Sequence, residues 1–366
     1  MESKRSSASR WRNVLLVVSS ILASFVFMEL YLRIFMPQDL IVPMPAIQDS
    51  ELIYRLKADT KAYLKGTSVR WFHLETNSLG LRDREIEPGK KTDRLRVMLL
   101  GDSMSMAEGV ELEETYIKRY EELANRDAPG RRVEAINAAI RGYGNDQEVL
   151  LFERFGPVFL PDVVVLAFFE GNDLEDNRNG GLFRLGSEGD LVKRTPTESD
   201  SPKLRYYNRQ IRIQNVPGYR FLVGHSHLVN FARMHYARHL MRHHDEVASV
   251  NSFQRSYREE DLMLTQEILM RWQEDCHQLG SVPVMLYIPA PESLGDSRAH
   301  TRTAGLNSAM AEFARRQNLA FLDLTAAFLK MPDPQQLYLK DAHLSPEGHV
   351  RVASELHDFL KRRNIL

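Results

Sequence analysis

The segment "LRVMLLGDSMSMAEG" (residues 95–109) joins a short apolar run to an abrupt Gly-Asp-Ser. The run is too short for a helix, and its composition is typical of a buried strand. Ser103 follows that strand directly, among small neighbours that leave its hydroxyl open. Two interpretations remain at this point: Ser103 simply begins a helix, or the strand end presents it as a nucleophile.

Strands and helices alternate regularly beyond this segment. Further strand-like runs occupy residues 131–140, 162–170, 282–288 and 320–325, and helical periods occupy 114–126 and 145–156. This alternation predicts an α/β fold with a parallel sheet and right-handed crossovers. Ligands of such sheets bind beyond the carboxyl ends of the strands. Because the first three strands end in GDS, RGYG and EGND, we expect these small and polar residues to meet at one edge.

A candidate general base lies near the C-terminus, in "LYLKDAHLSPEGHV" (337–350). Ser345, followed by proline, is a typical helix start, so Asp341 and His343 fall in the loop before that helix. One intervening residue lets the carboxylate reach Nδ1 of the imidazole while Nε2 faces a serine hydroxyl. Both residues could instead be solvated loop residues. His349 falls inside the helix and is expected to be structural.

Three N–H groups are candidates for stabilising an oxyanion. Gly142 follows the second strand, Asn172 follows the third, and the backbone N–H of Ser103 follows the first. A glycine allows close backbone approach, and an asparagine amide can donate. Each residue alone is ordinary turn chemistry. Asp102 and Asp173 are expected to brace their turns, with Asp102 as an alternative acid for the histidine.

These motifs together resemble the SGNH (GDSL-type) hydrolase family. Its four marker residues match Ser103 in "GDSM", Gly142 in "NAAIRGYG", Asn172 in "GND" and His343 in "DAHLSPEG", with Asp341 two residues before the histidine. Met104 stands where the family usually has leucine. The resemblance covers about residues 94–366 without an insertion. It implies a flavodoxin-like three-layer α/β/α fold with a mainly parallel five-stranded sheet. It also implies esterase or acyl-transfer chemistry without a metal or other cofactor.

The N-terminus has the pattern of a membrane anchor. Residues 1–12 carry four cations and precede an apolar stretch at 13–36 that is long enough to span a bilayer. The positive-inside rule then predicts a cytoplasmic basic tail and an extracytoplasmic remainder, periplasmic in a Gram-negative cell. A cleaved signal peptide and a buried helix are the alternatives, but no small-x-small cleavage site follows the apolar core. Glu29 and Arg33 lie four residues apart and can pair on one helix face.

The remaining organisation is less regular. Residues 37–93 are expected to form a linker and a small preliminary module, and 94–366 the hydrolase domain with an insertion at about 174–258. The insertion is rich in Arg, His and Tyr, and contains histidines at 225, 227, 235, 239, 243 and 244. It lacks the acidic ligands that would complete a metal site, so a solvated basic helix is expected. Contact with an anionic substrate or a lipid head group is the alternative.

Composition limits the functional classes. The chain has 366 residues and a formal net charge of −1, which gives no argument for nucleic-acid binding. A single cysteine, Cys276, excludes an internal disulfide. We therefore expect a membrane-anchored serine esterase acting on an acyl ester of an envelope glycan or lipid. An O-acyltransferase and a non-catalytic binding protein with the same fold are the alternatives. The sequence indicates no oligomeric state.

Overall fold

The computed structural model describes residues 2–38, 40, 43–65, 70–89, 92–127, 130, 132–243, 257–294 and 297–365. Of the expected histidine series, His244 lies outside these residues, as do the side chains of His239 and His243. The described chain divides into two compact units. One comprises residues within 1–43 and 213–252, and the other comprises residues within 44–212 and 253–366.

The helices and strands are as follows. The N-terminal half contains α1 (Glu2–Phe35), β1 (Ala46–Asp49), β2 (Ile53–Leu56), β3 (Lys61–Lys65), β4 (Trp71–Glu75), β5 (Arg94–Leu100), α2 (Ser103–Met106), α3 (Tyr116–Asp127), β6 (Arg132–Asn137), α4 (Asn145–Phe159) and β7 (Val163–Phe169). The C-terminal half contains α5 (Asp173–Gly180), β8 (Phe183–Leu185), β9 (Leu191–Lys193), α6 (Pro202–Gln214), α7 (Tyr219–His225), α8 (His227–His243), α9 (Glu259–Leu279), β10 (Val282–Ile288), α10 (Ser297–Arg316), β11 (Ala320–Asp323), α11 (Thr325–Leu329) and α12 (Pro346–Arg362).

The larger unit is built on a five-stranded sheet in the order β11-β10-β7-β5-β6. Every neighbouring pair is parallel, with Val97 of β5 aligned to Ala135 of β6 and to Val163 of β7. This is the flavodoxin-like order, in which the strand sequence reverses beside the first strand. The expected α/β fold with a parallel five-stranded sheet is therefore confirmed. In folds of this order, ligands bind beyond the carboxyl ends of the strands at the reversal, which here lies between β5 and β7.

The sheet is apolar on both faces because helices cover both. Residues such as Val97, Val165 and Leu286 belong to a core cluster that continues into α3 and α12. Their strand neighbours, such as Met98 and Val164, are equally buried and point to the opposite face by alternation. On that side α4 and α9 pack against each other. Burial on both faces explains why β7, at the centre of the sheet, is a continuous apolar run.

Residues 44–93 contain two antiparallel hairpins, β1–β2 and β3–β4, and belong to the same compact unit as the sheet. A buried ion pair connects the segment after β4 to α3: Lys118 Nζ on α3 lies 2.6 Å from Asp83 Oδ1. The other carboxylate oxygen of Asp83 accepts the backbone N–H of Asn137 at 2.7 Å. The segment that was expected to be a preliminary module thus fixes α3 and the end of β6.

The smaller unit contains α1, α7 and α8, and α1 packs against α8. Within α1, residues Trp11–Phe35 are long and apolar enough to cross a membrane, with a hydropathy of 2.1. Membrane anchors and signal sequences share this property. The expected Glu29–Arg33 pair forms, with a separation of 3.1 Å.

Candidate active site

Ser103 begins α2 directly beyond the end of β5. Asp102 caps this short helix, because its Oδ1 accepts the backbone N–H of Met104 at 2.8 Å. Ala107 closes the helix in the left-handed region, at φ 69°, and donates its N–H to the Ser103 carbonyl. Gly101 is required just before the turn, since a methyl group there would overlap the Ser105 side chain. The strand end therefore holds Ser103 at the carboxyl edge of the sheet.

The loop before α12 brings an imidazole to this serine. His343 Nε2 lies 2.9 Å from Ser103 Oγ, and His343 Nδ1 lies 3.1 Å from Asp341 Oδ2. Ala342, between them, has φ 68°, which turns both side chains toward the same side. Ser345 caps α12 by accepting the N–H of Gly348 at 3.1 Å. The structure thus brings together a hydroxyl, an imidazole and a carboxylate from segments that are 240 residues apart.

Charges around His343 favour its protonated form. Burial alone lowers the pKa of the imidazole, but the adjacent Asp341 carboxylate and the negative charges of Glu108 and Asp102 outweigh it and raise the pKa above 6.5. Glu108 is buried and lies 3.1 Å from Nε of Arg141. An imidazole stabilised as a cation is suited to accept a proton from Ser103.

Two backbone N–H groups at the site are open. Within the described chain, neither the Ser103 N–H nor the Gly142 N–H has a hydrogen-bond acceptor. Gly142 adopts φ 72°, a conformation that favours glycine, and a methyl group there would overlap the Tyr207 hydroxyl. Such unpaired donors at a strand edge are suited to bind a developing negative charge.

Asn172 lies at the same edge, but its amide is engaged. Its Nδ2 donates to Asp102 Oδ2 at 3.2 Å and to Asp176 Oδ2 at 2.8 Å. Among the described residues, its buried Oδ1 has no hydrogen-bond partner. In this conformation both amide protons serve carboxylates, so donation to a substrate oxygen requires that one of these bonds be exchanged.

The carboxylates behind the site are deeply buried. Burial raises the pKa of Asp102 to about 6, and burial likewise raises the pKa of Asp173 well above its ordinary value. Asp173 Oδ2 accepts the N–H of Phe169 at 2.9 Å and an amide proton of Asn145 at 3.0 Å. Asp102 and Asp173 therefore brace their turns, as expected from the sequence.

Two tyrosines that the motifs did not indicate also line the site. Tyr54, from β2, and Tyr207, from α6, stack with ring centroids 3.6 Å apart, and both hydroxyls face Gly142. The Tyr54 hydroxyl donates to the carbonyl of Arg141. Tyr54 lies 87 residues before its acceptor, and no local sequence signal connects the two.

His349 has a structural role, as its place inside a helix predicted. His349 is buried in α12, its Nδ1 accepts the N–H of Tyr116 at 3.2 Å, and burial lowers its pKa to about 3. The described residues contain no group of three or more His, Cys, Asp and Glu side chains placed to hold a metal ion.

The model of the GDSL-like lipase/acylhydrolase family matches residues 99–351. No curated protein matches the sequence. Similar solved structures include TesA, with 12% identity and a TM-score of 0.41, covering 74% of this chain and 99% of that one. A lipase from a goat rumen metagenome has 14% identity and a TM-score of 0.43, covering 72% and 97%. A catalytic mutant of an acetylxylan esterase from Geobacillus stearothermophilus has 14% identity and a TM-score of 0.43, covering 76% and 96%.

Proposed function

The chain belongs to the GDSL-like lipase/acylhydrolase family and is an ester-hydrolysing enzyme, and we propose that it is a membrane-anchored serine esterase that uses Ser103, His343 and Asp341. The observation that carries this proposal is the 2.9 Å contact between His343 Nε2 and Ser103 Oγ, with Asp341 on the other imidazole nitrogen. A serine hydroxyl is a weak nucleophile until a base in hydrogen-bond reach takes its proton.

The reaction proceeds through an acyl-enzyme. Ser103 Oγ attacks the ester carbonyl while His343 Nε2 takes its proton, and Asp341 holds the imidazolium in place through Nδ1. Collapse of the tetrahedral intermediate expels the alcohol, which receives the proton from His343. Water, activated by the same imidazole, then releases the acid and restores Ser103.

The oxyanion is held by N–H donors at the carboxyl edge of the sheet. The open N–H groups of Ser103 and Gly142 support this role. Asn172 contributes a third donor when it exchanges its 3.2 Å bond to Asp102 for the substrate oxygen. One such donor is typically worth about 3 kcal/mol of transition-state stabilisation.

The substrate class follows from the proposed location. The apolar α1 and its preceding cations support a single-pass anchor with the larger unit outside the cytoplasm. An esterase held there meets acylated glycans and lipids of the envelope, and we propose one of these as its substrate. Resistance of the full chain to alkaline carbonate extraction, and recovery of residues 13–36 in the mature protein, are the expected results. Release by carbonate, or a mature chain beginning after residue 36, would contradict the anchor.

A fluorophosphonate probe tests the nucleophile. The wild-type chain should be labelled covalently and Ser103→Ala should not. Ser105→Ala is the matched control, because Ser105 is two residues away and its buried hydroxyl is bonded to Tyr116 at 2.7 Å. Labelling of Ser103→Ala, or none of the wild type, would refute the assignment.

Product analysis tests the reaction. Acetylated oligosaccharides and short-chain acyl esters are incubated with the enzyme, with and without a free sugar acceptor. Release of free acid as the main product supports the esterase. Faster transfer to the sugar hydroxyl would instead make the chain an O-acyltransferase with the same nucleophile.

A further inference from the structure

Helix α1 carries two charged residues in the C-terminal third of its apolar stretch, and both bind the α7–α8 region. The Glu29 carboxylate accepts hydrogen bonds from Ser226 Oγ at 2.8 Å, from the His227 N–H at 3.0 Å and from the Leu228 N–H at 2.9 Å. It thereby caps the N-terminus of α8, where backbone donors have no partner within the helix. A carboxylate in a membrane-spanning helix is energetically costly, and the three hydrogen-bond donors offset part of that cost.

Arg33 completes the attachment one helical turn later. Its Nη2 donates to Glu29 at 3.1 Å and to the carbonyl of His225, the last residue of α7, at 2.8 Å. The backbone N–H of Gln38 donates to His227 Nδ1 at 2.8 Å. Leu32, between the two charged residues, is buried, whereas most of α1 is exposed. We call Glu29 and Arg33 the clamp.

The position of the clamp sets the level of α7 and α8 relative to the apolar stretch. That stretch ends at Phe35. Glu29 and Arg33 precede this end by about 9 Å and about 3 Å of helix rise, at 1.5 Å per residue. In the proposed orientation this depth is where hydrocarbon gives way to head groups. The junction between α7 and α8 is held at that level.

The turn before α7 and the start of α7 expose large apolar side chains in this same unit. Phe221 is 65% exposed, Val216 55% and Leu222 46%. The exposed cation Arg220 lies directly before Phe221, and the His225 ring stacks on Phe221 at 4.3 Å. Exposed aromatic and aliphatic side chains interleaved with cations are typical of segments that lie in a membrane interface.

We propose that residues 216–222 form a second membrane contact, which dips into the head-group region of an anionic bilayer and is held there by the clamp. The inference rests on the proposed anchor, because the bilayer is the one that α1 enters. The charge of Arg220 fits anionic phospholipid heads, and the apolar side chains fit the acyl region beneath them. The continuity with α1 favours lipid over a second protein copy as the occupant.

Site-directed fluorescence on the full chain tests the proposal. Phe221→Cys is labelled with an environment-sensitive fluorophore and reconstituted in vesicles of equal parts phosphatidylcholine and phosphatidylglycerol. Native Cys276 is buried, so labelling is directed to the new thiol. The fluorescence of the probe should be at least twofold lower in vesicles whose lipids carry a nitroxide on the acyl chain than in nitroxide-free vesicles. Aqueous iodide should quench the probe only weakly.

Two further variants separate this inference from the anchor. Phe25→Cys, in the middle of α1, should be quenched by nitroxide lipid in every background. Glu29→Leu keeps α1 apolar but removes the cap, so Phe221→Cys should then lose nitroxide quenching and gain iodide quenching. If residue 25 is quenched but residue 221 is not, the second contact is refuted and the anchor stands. If neither is quenched, the anchor fails and this inference with it, while fluorophosphonate labelling of Ser103 is unaffected. A disulfide between copies at residue 221 would make a second protein copy the occupant and overturn the proposal.

Discussion

Arg82 provides the sharpest test of how the segment before the sheet supports the position of Ser103. It is fully buried, and its guanidinium donates to four backbone carbonyls at the end of α2 and beside it: Met106 at 2.6 Å, Ala107 at 2.7 Å, Val110 at 2.7 Å and His73 at 3.0 Å. Burial lowers its pKa only to about 10, so it remains a cation at neutral pH. Arg82 therefore fixes the loop that follows Ser103.

Arg82→Lys keeps the positive charge but loses the planar guanidinium with its two donor nitrogens. The four acceptors are shared between two nitrogens, Nη1 and Nη2, and a lysine has one nitrogen that can serve one pair. Two carbonyls would then be buried without a donor, at about 1–3 kcal/mol each. We expect Arg82→Lys to reduce the free energy of unfolding by about 4 kcal/mol. Because α2 begins at Ser103, a shift of about 1 Å there should also lower kcat by as much as about a hundredfold.

The assay is urea unfolding followed by the emission of buried Trp272, together with ester hydrolysis under native conditions. Arg84→Lys is the matched control, since Arg84 is partly exposed and pairs with the single carboxylate of Glu121, which a lysine can also reach. The control should change the free energy of unfolding by less than about 1 kcal/mol. If Arg82→Lys behaves like the control in both stability and kcat, the reasoning about the four carbonyls is wrong.

Three further predictions concern the reaction. Asp341→Asn should lower kcat by about ten-thousandfold while fluorophosphonate binding remains detectable, because the imidazole loses the partner that sets its tautomer. A loss below tenfold would contradict the proposed role of Asp341. In the proposed mechanism His343 acts as a neutral base, and its pKa is raised above 6.5, so the kcat/KM of the wild type should rise with pH through an inflection above that value. Asp341→Asn should move this inflection down; an unmoved inflection would show that another group titrates. Gly142→Ala should lower kcat about a hundredfold, because residue 142 has φ 72° and the added methyl group would overlap the Tyr207 hydroxyl. Adding Tyr207→Phe should restore part of the activity. Full activity of Gly142→Ala alone would contradict the overlap with Tyr207.

Much of the fold could be predicted because its signals are local. Apolar runs of strand length predicted all five strands of the sheet, and their parallel order follows from the alternation with helices. Ser345 followed by proline predicted the start of α12 because capping involves neighbouring residues. The same local signals predicted Ser103, Gly142 and Asn172 after the ends of three strands, which meet at one edge of the sheet. They also predicted His343 in the loop before α12.

Other features of the site depend on contacts that no local pattern encodes. The sequence suggested Asn172 as a free donor, whereas the structure shows its amide held by Asp102 and Asp176. The outcome was decided by which carboxylates the turns bring beside the amide: Asp102, which is buried, and Asp176, which is partly exposed and also pairs with Lys203. Tyr54 and Tyr207 have no motif, because their role depends on stacking between β2 and α6.

The sequence by itself determined the strand and helix order, the serine and histidine motifs and the apolar N-terminal helix, because periodicity, caps and turn residues act over a few positions. Only the tertiary structure decided that Arg82 fixes the loop after Ser103, that the stacked tyrosines face Gly142, and that Glu29 caps a helix almost two hundred residues away. These contacts are made by side chains distant in sequence. Their energies depend on burial and on which donors and acceptors remain unpaired after the chain has folded.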